Sequence, residues 1–281
     1  MIRSLLYVPG SAERFIEKAH LRGADAIIVD LEDAVAPAEK ARARGALKQV
    51  IAHVGQRGAK VFVRINHDDT MLADAAAAGR AGAFGVLVPK VSDARLLVEL
   101  DQALTRLEAV LPREPMVFVP LIEDPRGVLN AQAIAAGPRV FAVSAGAEDF
   151  ATSMGAKPTA ELLRLPKLMV HMAAKAARVY SLGLLRTVAD YRDPGAIAEA
   201  VQEARALGFD GATCIHPSVV PILNRGFSPA DAEIEHAQRL IAAAEAAAKD
   251  GIGAFTFEGE FVDAPVVARA RAMLERVGGP W

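Results

Sequence analysis

Cysteine is nearly absent: Cys214 is the single one in 281 residues, which excludes an internal disulfide framework and any thiolate metal cluster within one chain. Its neighbours Thr213 and Ile215 suggest a buried strand, so an inert core thiol is expected there rather than a nucleophile. Long hydrophobic runs are missing too. Although 52% of the residues are hydrophobic, many are alanines in helix-like stretches such as ADAAAAGRAGAFG and IAAAEAAAK. No run approaches the roughly 18 uninterrupted apolar residues of a spanning helix. Neither sign of charge dominates, since 32 Lys+Arg against 34 Asp+Glu leave a net charge of -2. That balance gives no electrostatic footprint for nucleic acid, and basic residues that matter should be local, serving anionic substrates. No P-loop or dinucleotide glycine fingerprint occurs, which argues against nucleoside triphosphates and NAD. The opening MIRSLLYVPGSAER turns at Pro9-Gly10 after a short apolar stretch, too short for a signal h-region and without a small-residue cleavage site, so a cytoplasmic location is expected.

What is present is a regular alternation of strand-length apolar runs and helix-length amphipathic segments. Candidate strands are Ser4–Pro9, Ala26–Leu31, Lys60–Ile65, Gly85–Pro89, Met116–Ile122, Val140–Ala145, Leu184–Val188 and Ala212–His216. About eight βα units is the count of a closed parallel barrel, and continuous runs such as AIIVD and GVLVP suit strands covered on both faces. The fold class expected is therefore α/β, a (β/α)8 TIM barrel over residues 1–224. Helices are expected over Ala12–Arg22, Pro37–Val50, Asp93–Arg106, Gly127–Ala136, Leu162–Ser181 and Pro194–Leu207, with Gly23, Gly183 and Gly208 as terminators. Residues 225–281 exceed one closing helix. They read as an Ala-rich helix from Ser228-Pro229 to about Lys249, a hairpin in GIGAFTFEGEFVDAP and a last helix over Val266–Val277. Such a hairpin is free to act as a lid or to reach a neighbouring subunit.

Functional groups of these barrels project from the C-terminal strand ends. The residues there are Asp30, Glu32 and Asp33; Arg64 and Asn66; Lys90; Glu123; Glu148 and Asp149; and His216. Glu123 and Asp149 on adjacent strands match a Mg²⁺ site with few protein ligands, and Glu32 and Asp33 could hold its waters. The plainer alternative is that Asp124 and Asp149 cap helices and Glu123 pairs with Arg64. An arginine inside the apolar VFVRIN needs a buried anionic partner or a ligand, and its planar fork suits a carboxylate or a developing enolate oxygen. Lys90 after GVLVP could instead be the Schiff-base amine of a metal-free aldolase, although neighbouring acids would keep it protonated. His216 is read as an orienting or strand-end hydrogen-bonding residue. Arg14 and Lys18, spaced i, i+4, and Lys40 could grip phosphates, or could be solvated surface charge.

The segments SLLYVPGSAERFIEKA, DAIIVDLEDAVAPAEKARAR, VFVRIN, VLVPK, PLIEDPRGVLNAQAIAA, SAGAEDF and GFDGATCIHPSVVPILNRGFSP together resemble the citrate lyase β-subunit-like family of acyl-CoA lyases, among the Mg²⁺-dependent 2-oxoacid aldolases. The resemblance spans nearly the whole chain. It implies a barrel with a C-terminal extension, assembled as a homotrimer or a dimer of trimers. It also implies Glu123 and Asp149 as Mg²⁺ ligands, Arg64 on the substrate, and Glu32 and Asp33 behind the metal's waters. The amides of Gly146, Ala147 and Glu148 would receive the substrate carboxylate, and Arg14 and Lys18 the phosphates of coenzyme A. FVDAP matches the extension motif, whose aspartate, here Asp263, would reach over a neighbouring subunit's site, with Phe255, Phe257, Phe261 and Val262 buried against that subunit. The chain departs from the family pattern in ATSMGAKPT and LPKLMVHMAAKAARVYSLG, which flank the pocket and bear on acyl preference.

The activity these features lead us to expect is Mg²⁺-dependent cleavage, or formation, of a 3-hydroxyacyl-CoA such as malyl-CoA or citramalyl-CoA, giving a 2-oxoacid and acetyl-CoA. Arg64 would stabilise the thioester enolate and Asp263 would exchange a proton with its carbon. The alternatives are a citryl-carrier lyase β subunit working in a complex, a class II aldolase acting on free oxoacids, and a non-catalytic CoA or oxoacid binding protein. No nucleic-acid or membrane partner is expected.

Overall fold

Parallel strands surround a common axis in the computed structural model, which describes residues 2–110, 113–189 and 191–278. They are β1 (Ser4–Pro9), β2 (Ala26–Asp30), β3 (Lys60–Arg64), β4 (Gly85–Val88), β5 (Val117–Ile122), β6 (Ala142–Ala145), β7 (Tyr180–Leu182) and β8 (Ala212–Cys214). Their order is β7-β6-β5-β4-β3-β2-β1-β8, and a parallel bridge from Leu182 to Gly211 joins the two ends into a nearly closed barrel. Between and after the strands run α1 (Glu13–Ala19), α2 (Lys40–Val54), α3 (Met71–Ala81), α4 (Arg95–Glu108), α5 (Pro125–Leu129), α6 (Ala131–Ala135), α7 (Ala147–Ser153), α8 (Ala160–Ala177), α9 (Pro194–Ala206) and α10 (Val220–Phe227).

The strand pleat sends alternate residues to opposite faces. Ile27, Val29, Val61, Val63, Val86 and Val88 belong to the larger core cluster, which also contains residues of the surrounding helices. Leu5, Ile28, Phe62, Leu87, Val119 and Leu182 form a separate cluster, the filling of the barrel interior. Apolar residues are thus needed on both faces, which is why the runs are continuous. Phe62, Phe84, Phe141 and Tyr180 pack against one another edge-on or tilted beside this cluster, with centroid separations of 5.3, 5.7 and 4.9 Å along the series. Cys214 is buried, and desolvation pushes its thiol up to about 12, so it is the inert core residue expected.

Two expectations are corrected here. The seventh strand is Tyr180–Leu182, not Leu184–Val188. Helix α8 ends at Ala177 because Arg178 takes the left-handed conformation (φ 59), so Gly183 follows the strand instead of ending the helix. The short helix α7, directly after β6, is an element the apolar periodicity did not indicate.

The chain divides into two units, Ile2–Phe227 and the residues from Ser228 on, with the division at the end of α10. The second unit contains α11 (Asp231–Lys249), the hairpin β9 (Phe255–Phe257) and β10 (Glu260–Val262), and α12 (Ala264–Gly278). Phe261 is 69% exposed, whereas Val262 is already buried at 1%, so the expectation that Val262 waits for a partner subunit is corrected. Asp263 accepts from Val266 N at 3.3 Å at the start of α12. Among the described residues no helix is long and apolar enough to cross a membrane.

Candidate active site at the strand mouth

The interior series that packs the barrel changes chemistry as it reaches the C-terminal strand ends. In β1, Leu5 is followed two residues on by Tyr7; in β2, Ile28 by Asp30; in β3, Phe62 by Arg64; after β5, Leu121 by Glu123. An apolar plug therefore lies directly below a charged layer. Tyr7, Asp30, Asp33, Arg64, Glu123, Ser144, Glu148, Asp149 and Lys167 are among the residues lining a cleft of about 400 Å³ at this mouth.

Arg64 is fixed by register. It is the Cα partner of Asp30 across β2 and β3. Its Nε and Nη2 donate to the two Asp30 oxygens at 2.7 and 2.6 Å. Its Nη1 lies 2.9 Å from Glu32 and 3.0 Å from Asp33. The guanidinium is also 5.1 Å from the Tyr7 ring centroid. Burial opposes its charge, but the Asp30 hydrogen bonds, with the charges of Asp30 and Glu32, hold its pKa above the ordinary arginine value. The plain alternative of a Glu123–Arg64 pair is corrected: Asp30 takes the fork. Three of the five guanidinium N–H groups donate to Asp30 and Asp33, and the second Nη2 N–H is not among them.

Glu123 is held from the backbone. Lys90, whose φ of 55 is left-handed, donates its backbone N–H to Glu123 Oε2 at 2.8 Å. Gly146 leaves room for the same carboxylate, because a Cβ there would stand 2.6 Å from Glu123 Oε1. Burial pushes the Glu123 carboxyl up to about 8, and the charges of Asp149 and Glu32 push the same way. A buried acid facing other acids carries the charge and the hard oxygen donors that would suit a cation such as Mg²⁺. Among the described residues no group of three His, Cys, Asp or Glu side chains is disposed as a complete metal cage. Glu123 and Asp149 would thus leave coordination positions for waters and substrate oxygens. Glu32, buried, bridges Arg64 and Lys90 Nζ, the latter at 2.9 Å. That bond holds the Lys90 ammonium above its usual pKa, which disfavours a Schiff-base role.

The other sequence candidates are distributed as follows. Gly146 N donates to Ile122 O at 3.0 Å, so the first-turn amides of Ala147 and Glu148 are the ones left for an anion. Glu148 itself accepts from Thr187 Oγ1. Arg14 and Lys18 are exposed on α1, Arg14 lying 4.5 Å from the Phe15 ring. Lys40 bonds Asn66, which is itself tied to the buried Asp74 at 2.6 Å. Asp124 caps α5. His216 accepts from Ser218 N at 3.3 Å and stacks on Tyr191 at 4.8 Å. Asp263 belongs to the second unit.

Sequence reasoning overlooked Lys167, Tyr7 and Thr187. Lys167 carries a signal in hindsight: it stands four residues after Leu163 and three before Val170, the buried stripe of α8.

Residues 3–217 match the family described as HpcH/HpaI aldolase/citrate lyase. A (3S)-malyl-CoA thioesterase of Cereibacter sphaeroides is 38% identical over 277 residues, covering 98% of this chain and 94% of that protein. The citrate lyase subunit beta of Escherichia coli is 33% identical over 284 residues, covering 98% and 92%. Among solved structures, the protein CitE from Mycobacterium tuberculosis in complex with magnesium, acetoacetate and coenzyme A superposes with a TM-score of 0.78 at 30% identity, covering 99% of this chain and 98% of that one.

Proposed function

Because the chain belongs to the HpcH/HpaI aldolase/citrate lyase family, we propose that it is a Mg²⁺-dependent carbon–carbon lyase acting on a 3-hydroxyacyl-CoA of the malyl-CoA or citramalyl-CoA type. The products would be a 2-oxoacid and acetyl-CoA, and the reverse condensation uses the same groups. The single observation that carries this reading is the buried Glu123 carboxylate beside Asp149, under-neutralised by its own chain, at the mouth of a barrel. Magnesium complexes of the CitE neighbour support the choice of cation.

Held by Glu123 and Asp149, the cation would supply Lewis acidity toward the hydroxyl and carboxylate oxygens of the oxoacid half. The protein's own groups do the rest. The Ala147 and Glu148 amides, at the positive end of α7, orient the carboxylate. Arg64, immobilised by Asp30, Glu32 and Asp33, presents its remaining Nη2 N–H to the thioester oxygen, where charge develops as the enolate forms. Arg14 and Lys18 hold the phosphates of coenzyme A. Asp263, delivered by a neighbouring chain of a homotrimer or dimer of trimers, exchanges the proton at the enolate carbon.

The relative named a thioesterase favours a second reading, hydrolysis of the same class of thioester. Incubating the protein with Mg²⁺ and malyl-CoA or citramalyl-CoA separates them. A lyase releases acetyl-CoA and oxoacid in equal amounts; a thioesterase releases free coenzyme A and the hydroxy acid. Full activity after exhaustive chelation would overturn the metal assignment.

A further inference from the structure

The cleft at the strand mouth holds an amine that the reading above leaves without a task. Lys167, reaching in from α8, is the one lysine or arginine among the buried charged side chains of the described residues, at 4% exposure, and it lines the cleft. Its Nζ donates to Leu184 O at 2.7 Å and to Arg186 O at 2.9 Å, and no carboxylate among the described residues ion-pairs with it. The acid whose charge acts on it is Glu148, and that carboxylate is engaged by Thr187. Two carbonyl acceptors match the two N–H groups of a neutral amine, whereas an ammonium brings a third N–H and a charge that no described carboxylate pairs. With both N–H groups turned onto the Leu184–Arg186 segment, the remaining tetrahedral position of the nitrogen carries the lone pair. The side chain is otherwise covered by protein, so a reagent reaches it through the cleft. Lys90, the other lysine near the strand mouth, is the opposite case, held as an ammonium by Glu32 at 2.9 Å.

We propose that Lys167 is a covalent modification site, at which its amine captures the ketone of a small 2-oxoacid as an imine. The identity of the carbonyl compound rests on the lyase reading above, in which the cleft releases a 2-oxoacid; the reactivity of the amine does not. In the step, the Nζ lone pair attacks the ketone carbon and the carbonyl π electrons pass to oxygen. The C–O bond then breaks as C=N forms, and the two Nζ protons leave with the ketone oxygen as water. No oxidant or reductant is consumed, so hydrolysis reverses the adduct. Uptake of a proton gives an iminium, which keeps one N–H for the two carbonyls and a positive charge within the field of Glu148. The adduct fills the cleft until it hydrolyses, which makes the site a brake operated by accumulated product.

The test traps the imine. The full chain in EDTA at about pH 7.5 is incubated with pyruvate and cyanoborohydride, and peptide mapping by mass spectrometry locates the lysines that carry one reduced pyruvate unit. Burial lowers the Lys167 pKa to about 8, so roughly a quarter of it is neutral at that pH, against about one in a thousand for an ordinary lysine. A less basic amine is the weaker nucleophile, which leaves an expected advantage of roughly tenfold in initial labelling rate over the exposed Lys18, Lys48 and Lys157. Unfolding in urea should abolish that advantage. Lys167→Arg keeps the charge and N–H donors but cannot form the adduct, and it should lose the fast label alone. Labelling that favours Lys90 or the exposed lysines, with Lys167 no faster than they are, would overturn the proposal, and the wild-type map decides this even if the variant does not fold. So would a fast label at Lys167 that persists in urea. The lyase reading stands or falls separately, on Mg²⁺-dependent release of acetyl-CoA. A protein that takes the label without cleaving any thioester refutes that reading and supports the modification site; one that cleaves thioesters without taking the label overturns the modification site alone.

Discussion

Replacing Glu123 by glutamine should make the metal-free protein more stable in mild alkali and at the same time deprive it of its metal. In the unfolded chain a glutamate ionises near 4.3; in the folded protein burial and the neighbouring acids move Glu123 up to about 8. Between those values the native state holds a proton that the unfolded chain has released, so stability falls as pH rises and levels off above pH 8. At about 1.4 kcal/mol per pH unit the whole span is at most on the order of 5 kcal/mol, and relaxation around the charge brings a realistic figure nearer ~2 kcal/mol. Glutamine has the same shape and keeps an acceptor for Lys90 N, now 2.8 Å from Glu123. The Glu123→Gln protein in EDTA at about pH 8.5 should therefore melt roughly 4–8 °C above wild type, with the gap closing toward pH 5. Magnesium should reverse the order. At a hundred times its Kd it adds about 2.7 kcal/mol to wild type and little to the variant. Calorimetric melts across pH 5–9, with EDTA or Mg²⁺, read all of this. A metal-free variant less stable than wild type at pH 8.5, or one that gains as much from Mg²⁺, would refute the reasoning.

Gly146→Ala would place a methyl 2.6 Å from Glu123 Oε1 and displace the carboxylate; it should weaken Mg²⁺ binding about tenfold or more by calorimetric titration while the protein still folds. Unchanged affinity would detach Glu123 from the metal. Arg64→Lys keeps the charge but cannot span both Asp30 oxygens; about 3 kcal/mol of stability in urea unfolding, with most of the activity, should be lost, and a fully active, equally stable variant would show the fork to be dispensable. Mixing Asp263→Asn chains with Glu123→Gln chains after dissociation and reassembly should restore activity, because some sites would then hold both residues intact; verified mixing without activity places Asp263 outside a neighbour's site.

Much of the barrel was legible because both faces of its strands are covered, so each strand appears as an unbroken apolar run of its own. The seventh was mislaid for a local reason. Tyr180–Leu182 is only three residues long, and the helix before it stops at Arg178, a left-handed residue that carries no glycine signal. Gly183 then drew the boundary to itself. The acids at the strand mouths could be enumerated from sequence, but which of them meet could not. Asp30 faces Arg64 because the β2–β3 register places their Cα atoms opposite each other, and register follows from the shear of the closed barrel, which no single strand encodes. Lys167 escaped notice because an isolated lysine on a helix is ordinarily solvated. Its burial depends on the Leu184–Arg186 carbonyls arriving from another element.

The bond from Lys90 to Glu123 separates two things a mutation usually changes together. It is made by a peptide N–H, so the identity of the side chain at position 90 does not enter it; only the handedness of the backbone does. Glycine and asparagine tolerate a positive φ, whereas valine and isoleucine resist it. In their effect on Glu123, substitutions at this position should accordingly sort by conformational tolerance, while the loss of the ammonium is felt at Glu32. A redesigned barrel could use the lysine's place for a new side-chain function and still keep Glu123 aimed, provided the newcomer can turn left.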